Sequence, residues 1–377
     1  MRVLHVGPFK IDSINGSYAA LWNLAQGQAQ LGDDVSILRL GKPVSQDQGE
    51  RASKDGISLY GFPSPMWRNY WRDTSGLFRA VVEHVRPDIV HLQYVRIPKY
   101  LFVSRYLTRY GIPFVVSPHG GLNSTEMQRR PLRKKAYWFA IERRVHALAK
   151  GLHFVSPPER DDYLAHYDIT PRETAVIPNA VAIPKEKIGS WTTQPISTLR
   201  FAYFGRYDVW TKGLDLACEM VRKLGRDMPA ELHLFGGSGR KHHNEMEDLR
   251  QSFPDVTIVD HGMVIGDEKF EAMTSFDAYI QFSRHEVFGM SLVEAMGVGV
   301  PVFVSERCDL ARDLEQAGAA IVLPFDPVCA AEKLAQSVGD QELLRAISAA
   351  GVNWVATKCE PRRVAESMRM FYERAAA

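Results

Sequence analysis

Between Ser283 and Gly297 the chain reads Ser-Arg-His-Glu-Val-Phe-Gly-Met-Ser-Leu-Val-Glu-Ala-Met-Gly, which sets two carboxylates, Glu286 and Glu294, on either side of a glycine-marked turn. A carboxylate accepts two hydrogen bonds from a vicinal diol with defined geometry. Two of them at this spacing suit separate hydroxyl-bearing parts of one extended ligand, such as a sugar and a ribose. Phe288-Gly289-Met290 can turn main-chain N–H groups toward that ligand, and a helix starting there offers a place for phosphate. An isolated Glu-x7-Glu is mostly chance; the whole string is far more specific.

Three other segments carry chemistry more weakly. Gly205-Arg206, followed by Lys212-Gly213-Leu214, supplies fixed cations for a leaving diphosphate, whose growing charge needs either cations or a metal. No Asp-x-Asp pair for a metal-bound diphosphate occurs in the chain. Ser117-Pro118-His119-Gly120-Gly121 puts a histidine beside glycines, where it could donate a hydrogen bond to a sugar or stabilise charge in a transition state. A structural histidine bonded to a backbone carbonyl is the plainer reading, more so for His91. Asn15-Gly16-Ser17 opens a helix with a small residue, which lets an anion approach or merely caps the helix.

These residues need a scaffold. Short β-branched runs alternate with longer amphipathic stretches, the pattern of βαβ units and a parallel sheet. The first half predicts strands at Arg2 to Val6, Val35 to Leu38, Ile89 to Leu92, Phe114 to Ser117 and Gly151 to Val155, with helices at Leu21 to Leu31 and Leu77 to His84. A second series runs through Arg200 to Phe204, Glu231 to Phe235, Val256 to Val259, Ala278 to Gln281, Val300 to Val304 and Ala320 to Val322. The α/β class follows, with two Rossmann-like, doubly wound domains facing across a cleft: 1–184 as the acceptor-binding half and 185–361 as the donor-binding half. A linker lies around Ile177 to Pro195. The last helix, Arg362 to Tyr372, follows the second domain and is expected to bring 362–377 back onto the first. Open α/β sheets bind ligands outside the carboxyl ends of their strands, where every candidate above lies.

A chain of 377 residues fits two domains better than one core. The net charge of +2 hides a split at residue 184, with 24 Lys and Arg against 16 Asp and Glu before it and 22 against 28 after it. A basic half meeting an acidic one suits closure over an anionic ligand or a face for anionic lipid. The apolar run at the start is too short for a secretory signal, and no stretch is long enough to span a bilayer; a cytoplasmic location is expected. Cys218, Cys308, Cys329 and Cys359 form no Cys-x-x-Cys pair, so neither a disulfide framework nor a zinc site is indicated. Residues 129–144 hold seven basic residues, one acidic residue and the run Tyr137-Trp138-Phe139. Such a stretch can lie on an anionic membrane surface and present a lipid-linked acceptor, or be an ordinary helix with one solvated face. No nucleic-acid reader motif accompanies the charge.

The chain resembles the retaining glycosyltransferases of family four, which have the GT-B fold, over nearly its full length. The resemblance rests on Gly205-Arg206 with Lys212-Gly213, the Gly236-Gly237-Ser238-Gly239 loop, and Glu286 to Glu294 followed by Gly299-Val300-Pro301. It implies that Glu286 meets the donor sugar and Glu294 the nucleotide ribose, that Arg206 and Lys212 meet the diphosphate, and that His119 is the donor-sugar histidine. His119 and Glu286 are thus the catalytic candidates. Gly16, Arg206, Lys212, Gly237, Met263, Phe288, Gly289, Met290 and Glu294 are the donor-binding ones. Main-chain groups near Gly262-Met263-Val264 would hold the base. Members commonly carry Gly-Gly where this chain has Asn15-Gly16. The implied reaction moves a hexose or N-acetylhexosamine from a UDP- or GDP-sugar to a glycan or lipid-linked acceptor, in cell-surface polysaccharide assembly, with no metal or other cofactor. A catalytically silent sugar-nucleotide-binding scaffold, a sugar-nucleotide epimerase and a phosphorylase are the rivals on this architecture.

Overall fold

The computed structural model describes residues 1–11, 15–40, 43–61, 73–128, 131–189, 191, 198–225, 228–237 and 239–377. They divide into two compact units, one built from the chain up to Ala180, residues 14–16 apart, together with Pro361–Ala377, the other from Val181–Glu360 with residues 14–16.

In the first unit seven parallel strands, β1 (Arg2–Gly7), β2 (Asp34–Arg39), β3 (Ile57–Gly61), β4 (Ile89–Gln93), β5 (Phe114–Ser117), β6 (Gly151–Phe154) and β7 (Thr174–Val176), lie in the order β3-β2-β1-β4-β5-β6-β7. The central strands are buried on both faces because helices cover both sides, so they read as continuous apolar runs. The strands β3 and β7 did not declare themselves in the sequence: one is an edge strand with a half-exposed face, the other is three residues long.

The last helix, Pro361–Ala376, belongs to this unit. Val364, Met368, Phe371 and Tyr372 pack with Val3, Ile89 and Val115 into one buried cluster. Each large apolar side chain so placed stabilises the fold by roughly 1.5–3 kcal/mol. Gly27 makes the approach possible, since a Cβ there would stand 2.1 Å from the Pro361 carbonyl oxygen.

The second unit repeats the plan with β8 (Leu199–Gly205), β9 (Ala230–Gly236), β10 (Thr257–Gly262), β11 (Ala278–Gln281), β12 (Val302–Ser305) and β13 (Ile321–Leu323), in the order β10-β9-β8-β11-β12-β13, with every pairing parallel. Each sheet reverses its winding once, between β1 and β4 in the first and between β8 and β11 in the second. Loops diverge at such a reversal and leave a crevice at the carboxyl ends. No described helix is long and apolar enough to cross a membrane.

Candidate active site

In the second unit the predicted residues gather at the carboxyl ends of β10, β9, β8 and β11. Arg206 follows β8, and Gly205 pairs in register with Gly236 of β9, so Gly237 lies in the adjoining loop. Ser238 falls outside the described residues. Met263 follows β10 and is exposed. Arg206 is exposed and forms no ion pair among the described residues.

Lys212 closes the four-residue helix Val209–Lys212, which Asp208 caps by accepting the Thr211 N–H. Gly213 then turns with φ 62°, and a Cβ there would lie 2.1 Å from the Phe282 carbonyl oxygen. Only glycine lets this turn touch the end of β11. Arg284 rivets the same two segments together: it grips Asp215 with two bonds of 2.7 Å, donates 2.7 Å to the Trp210 carbonyl, and lies over the Trp210 ring.

Lys212 Nζ consequently meets Glu286 Oε2 at 2.5 Å. The same oxygen accepts a 2.7 Å hydrogen bond from Gln281 Nε2, and Gln281 Oε1 accepts one from the Tyr279 hydroxyl at 3.1 Å. The Glu286 carbonyl is held by the Asp309 N–H at 2.8 Å. Burial, with the nearby Glu286 charge second, pushes the Tyr203 phenol well above its usual range, while the neighbouring Arg206 works against both. Arg206 and Glu286 thus act on one ring.

After Glu286 the rings and side chains of Phe288 and Met290 turn inward, so what they can present to a ligand is main chain. Gly289 is left-handed (φ 71°) at the start of the helix Met290–Gly297. Glu294, one turn in, pairs with Lys269. The helix start offers unpaired N–H groups and the positive end of its dipole. Sequence reasoning missed Gln281, Lys269 and the Arg284–Asp215 clamp. Nothing local marks them, because each acts on a partner distant along the chain.

His119 lies in the loop after β5 in the first unit, while Gly16 groups with the second. Gly16 opens the helix Gly16–Gln30. His119 has φ 50°, a left-handed conformation rare outside glycine. Its loop is pinned by Glu159, which accepts the Gly120 N–H at 2.5 Å and the Val155 N–H at 2.8 Å. Burial pushes the Glu159 carboxyl up to about 7 against the pull of those two donors. His119 Nε2 sits 2.8 Å from Gln93 Oε1, and Nδ1 is buried with no partner. Burial and the neighbouring His153 depress its pKa to about 3, so the ring is neutral. The ring nitrogen facing Gln93 is therefore already engaged, and Nδ1 is the one left open.

The basic stretch folds as helix Pro131–Tyr137, one π-helical turn Trp138–Glu142 and helix Arg143–Leu148; Arg129 and Arg130 fall outside the described residues. Trp138 is buried against Tyr167, with ring centroids 4.2 Å apart. The aromatic run thus does not lie on one outer face. Leu132 and Phe139 are 84% and 62% exposed, and Arg133, Lys135, Arg143 and Arg144 share the exposed surface.

Two family models match the chain in succession, a glycosyl transferase 4-like domain over residues 15–180 and glycosyl transferases group 1 over residues 198–340. The GDP-mannose:cellobiosyl-diphosphopolyprenol alpha-mannosyltransferase of Xanthomonas oryzae pv. oryzae is 29% identical, over 90% of this chain and 87% of its own. Among solved structures, a glycosyltransferase from Rickettsia africae superposes with a TM-score of 0.76 at 17% identity, covering 99% of this chain and 98% of its own. Anabaena HepE in complex with UDP and glucose does so with a TM-score of 0.75 at 14% identity, covering 99% of each. With two parallel-sheet units of this topology and both halves matched in order, the chain belongs to the group 1 glycosyltransferases of the GT-B fold.

Proposed function

We propose that this transferase moves a hexose, mannose from GDP-mannose being the first candidate, onto a lipid-diphosphate-linked glycan with retention of configuration. The observation that carries the reading is the Lys212–Glu286–Gln281 cluster at the winding reversal of the second sheet, with Arg206, which has no ion pair among the described residues, acting on the same Tyr203 ring as Glu286. The donor's identity rests on the relative's GDP-mannose, and the acceptor on its diphosphopolyprenol.

In this scheme the second unit binds the donor. Arg206, Lys212 and the N-terminus of the helix Met290–Gly297 surround the diphosphate, replacing with fixed cations and a dipole the charge that a metal would otherwise supply. Glu286, freed from Lys212 as the cation turns to phosphate, grips sugar hydroxyls; Glu294 takes the ribose, and main chain near Met263 the base. As the bond to the leaving oxygen lengthens, positive charge builds on the anomeric carbon. The acceptor hydroxyl attacks the same face, and its proton passes to the departing phosphate. No protein base is then required, and no metal.

The first unit binds the acceptor and meets the cytoplasmic face of an anionic membrane. Leu132 and Phe139 stand out among Arg133, Lys135, Arg143 and Arg144, the mixture that seats a helix at a charged lipid surface. Beside them an open groove of about 660 Å³, lined by Met127, Pro131, Lys135, Trp138, Phe139 and Tyr167 among others, fits the first isoprenoid units of such an acceptor.

The test is transfer from GDP-mannose, with GDP-glucose, UDP-glucose and UDP-N-acetylglucosamine in parallel, to a polyprenyl-diphosphate oligosaccharide in vesicles containing chelator. An α-linked product from an α-linked donor is expected, at the same rate with and without chelator. Product of inverted configuration, or transfer only when a divalent cation is restored, would contradict the corresponding part of the scheme.

A further inference from the structure

Beneath the carboxyl ends of β1, β4, β5 and β6 lies a buried line of polar side chains whose hydrogen bonds can be given a direction. It begins at the Ile177 carbonyl oxygen, which can only accept. His153 Nε2 lies 2.8 Å from it and must carry the proton. His153 Nδ1 is then a lone pair and takes the Ser117 hydroxyl proton across 2.6 Å. Ser117 Oγ, its proton committed, accepts from His91 Nε2 at 2.5 Å. His91 Nδ1 in turn accepts from the Tyr372 hydroxyl at 2.7 Å. The line ends there, because Gln28 Nε2 is buried without a hydrogen-bond partner among the described residues.

A second line starts at Gln28 and carries its own direction, since an amide oxygen can only accept. Gln28 Oε1 accepts from His5 Nε2 at 2.8 Å, and His5 Nδ1 accepts from Gln93 Nε2 at 3.0 Å. Gln93 Oε1 therefore faces His119 and accepts its Nε2–H at 2.8 Å. At the end of the line His119 Nδ1 is a bare lone pair, unpartnered beneath the surface of a ring that is itself half-buried. A buried polar atom left without a partner costs about 1–3 kcal/mol. Burial holds His5, His91, His119 and His153 below the ordinary histidine range, so all four act as neutral relays with one donor and one acceptor each.

We propose that His119 meets its ligand as a hydrogen-bond acceptor, taking the proton of a sugar hydroxyl on Nδ1, and that Gln93 is the positioning residue that imposes this polarity. The inference rests on the transferase reading for the sugar, but the tautomer stands on the geometry alone. A histidine that accepts selects for a hydroxyl and against a carbonyl, ether or fluorine at the same place, because those groups have no proton to give.

Two measurements test this separately. Long-range proton–nitrogen spectra of the imidazoles should show His119 as the Nε2–H tautomer at neutral pH, with an unprotonated Nδ1, in wild type. In Gln93→Glu a carboxylate accepts from both neighbours, so His119 should keep its Nε2–H while His5 takes a proton on Nδ1. Gln93→Met serves if the charged variant fails to fold, and should give mixed tautomers. An Nδ1–H or an imidazolium at His119 in wild type would overturn the proposal. Secondly, sugar nucleotides with single deoxy or deoxyfluoro positions should reveal one hydroxyl whose removal and whose replacement by fluorine weaken binding alike, by about tenfold or more. That penalty should vanish in His119→Ala. Fluorine restoring the affinity lost by the deoxy compound would mark His119 as a donor and sink the idea. Binding of no sugar nucleotide at all would instead sink the transferase reading, and the sugar hydroxyl with it, while the spectra still judge the tautomer.

Discussion

Lys212 and Glu286, 74 residues apart in the chain, share one 2.5 Å ion pair with both side chains 16% exposed. The pair is pre-formed at the carboxyl ends of β8 and β11, and Gln281 fixes the carboxylate from its other side. A cation parked on a carboxylate is desolvated before substrate arrives. Exchange of its partner for a phosphate oxygen then costs little reorganisation.

Removing either partner should therefore harm turnover more than folding. Glu286→Ala and Lys212→Ala should each lower kcat by about 10²–10³-fold, and the double variant by much less than the product, because the two act as a unit. Single-turnover transfer rates beside urea unfolding curves would show this. Strictly multiplicative losses would mean that the two residues work independently.

Glu294 and Lys269 form the second pair, on the helix Met290–Gly297 and the helix Asp267–Thr274. Glu294→Gln keeps the shape and removes the charge that would hold a ribose diol. Affinity for the nucleoside diphosphate should fall about tenfold while kcat at saturating donor is kept, as calorimetry and initial rates would report. A fall in kcat with unchanged affinity would place Glu294 at the reacting centre instead.

Acid should destabilise the first unit. Burial lowers His5 and His153 to about 4 and His119 to about 3, and holds His91 well below the ordinary value. Below about 6.5 the unfolded chain binds protons that the folded unit does not. The stability from these neutral rings is therefore complete above that pH and is lost as pH falls through it toward 4, at up to about 1.4 kcal/mol per pH unit for each histidine. Glu159 opposes this. Its raised carboxyl, at about 7, takes a proton in the folded state first, so its contribution declines as pH rises from about 4.5 to 7. Four groups outweigh one, and urea midpoints measured at pH 7, 6 and 5 should fall steadily. A flat series would show that the line of histidines is hydrated.

The basic face predicts binding to vesicles that depends on both charge and an apolar anchor. Flotation with liposomes rich in anionic lipid should retain the protein at low salt and lose it at high salt, since exposed charges are screened. Phe139→Ser should weaken binding several-fold; Arg133→Glu with Lys135→Glu should abolish it. Trp138→Phe should leave it unchanged, because that ring is buried against Tyr167. Equal binding to neutral vesicles would remove the membrane surface from the scheme.

Much of the fold is local in origin and could be read from residue order. Ala278–Gln281 is an apolar run of strand length and forms β11 with those bounds. The helix after Gly289 follows from the turn that glycine permits. The edge strand Ile57–Gly61 and the three-residue strand Thr174–Val176 escaped because they lack a buried run of their own and exist only through a neighbour's hydrogen bonds.

By itself the sequence determined two α/β units with parallel sheets, the strand ends where chemistry would collect, and the identities of Arg206, Lys212, Glu286, Glu294 and His119 as the residues there. Those are consequences of periodicity and of short strings along the chain. Only the tertiary structure decided which charge meets which: that Lys212 lies on Glu286 and Lys269 on Glu294, that Trp138 faces inward, and that His119 ends a line of bonds reaching through Gln93 and His5 to Gln28. Hydrogen-bond direction and ion pairing depend on distances of a few ångströms between residues tens to hundreds of positions apart, and no local pattern encodes them.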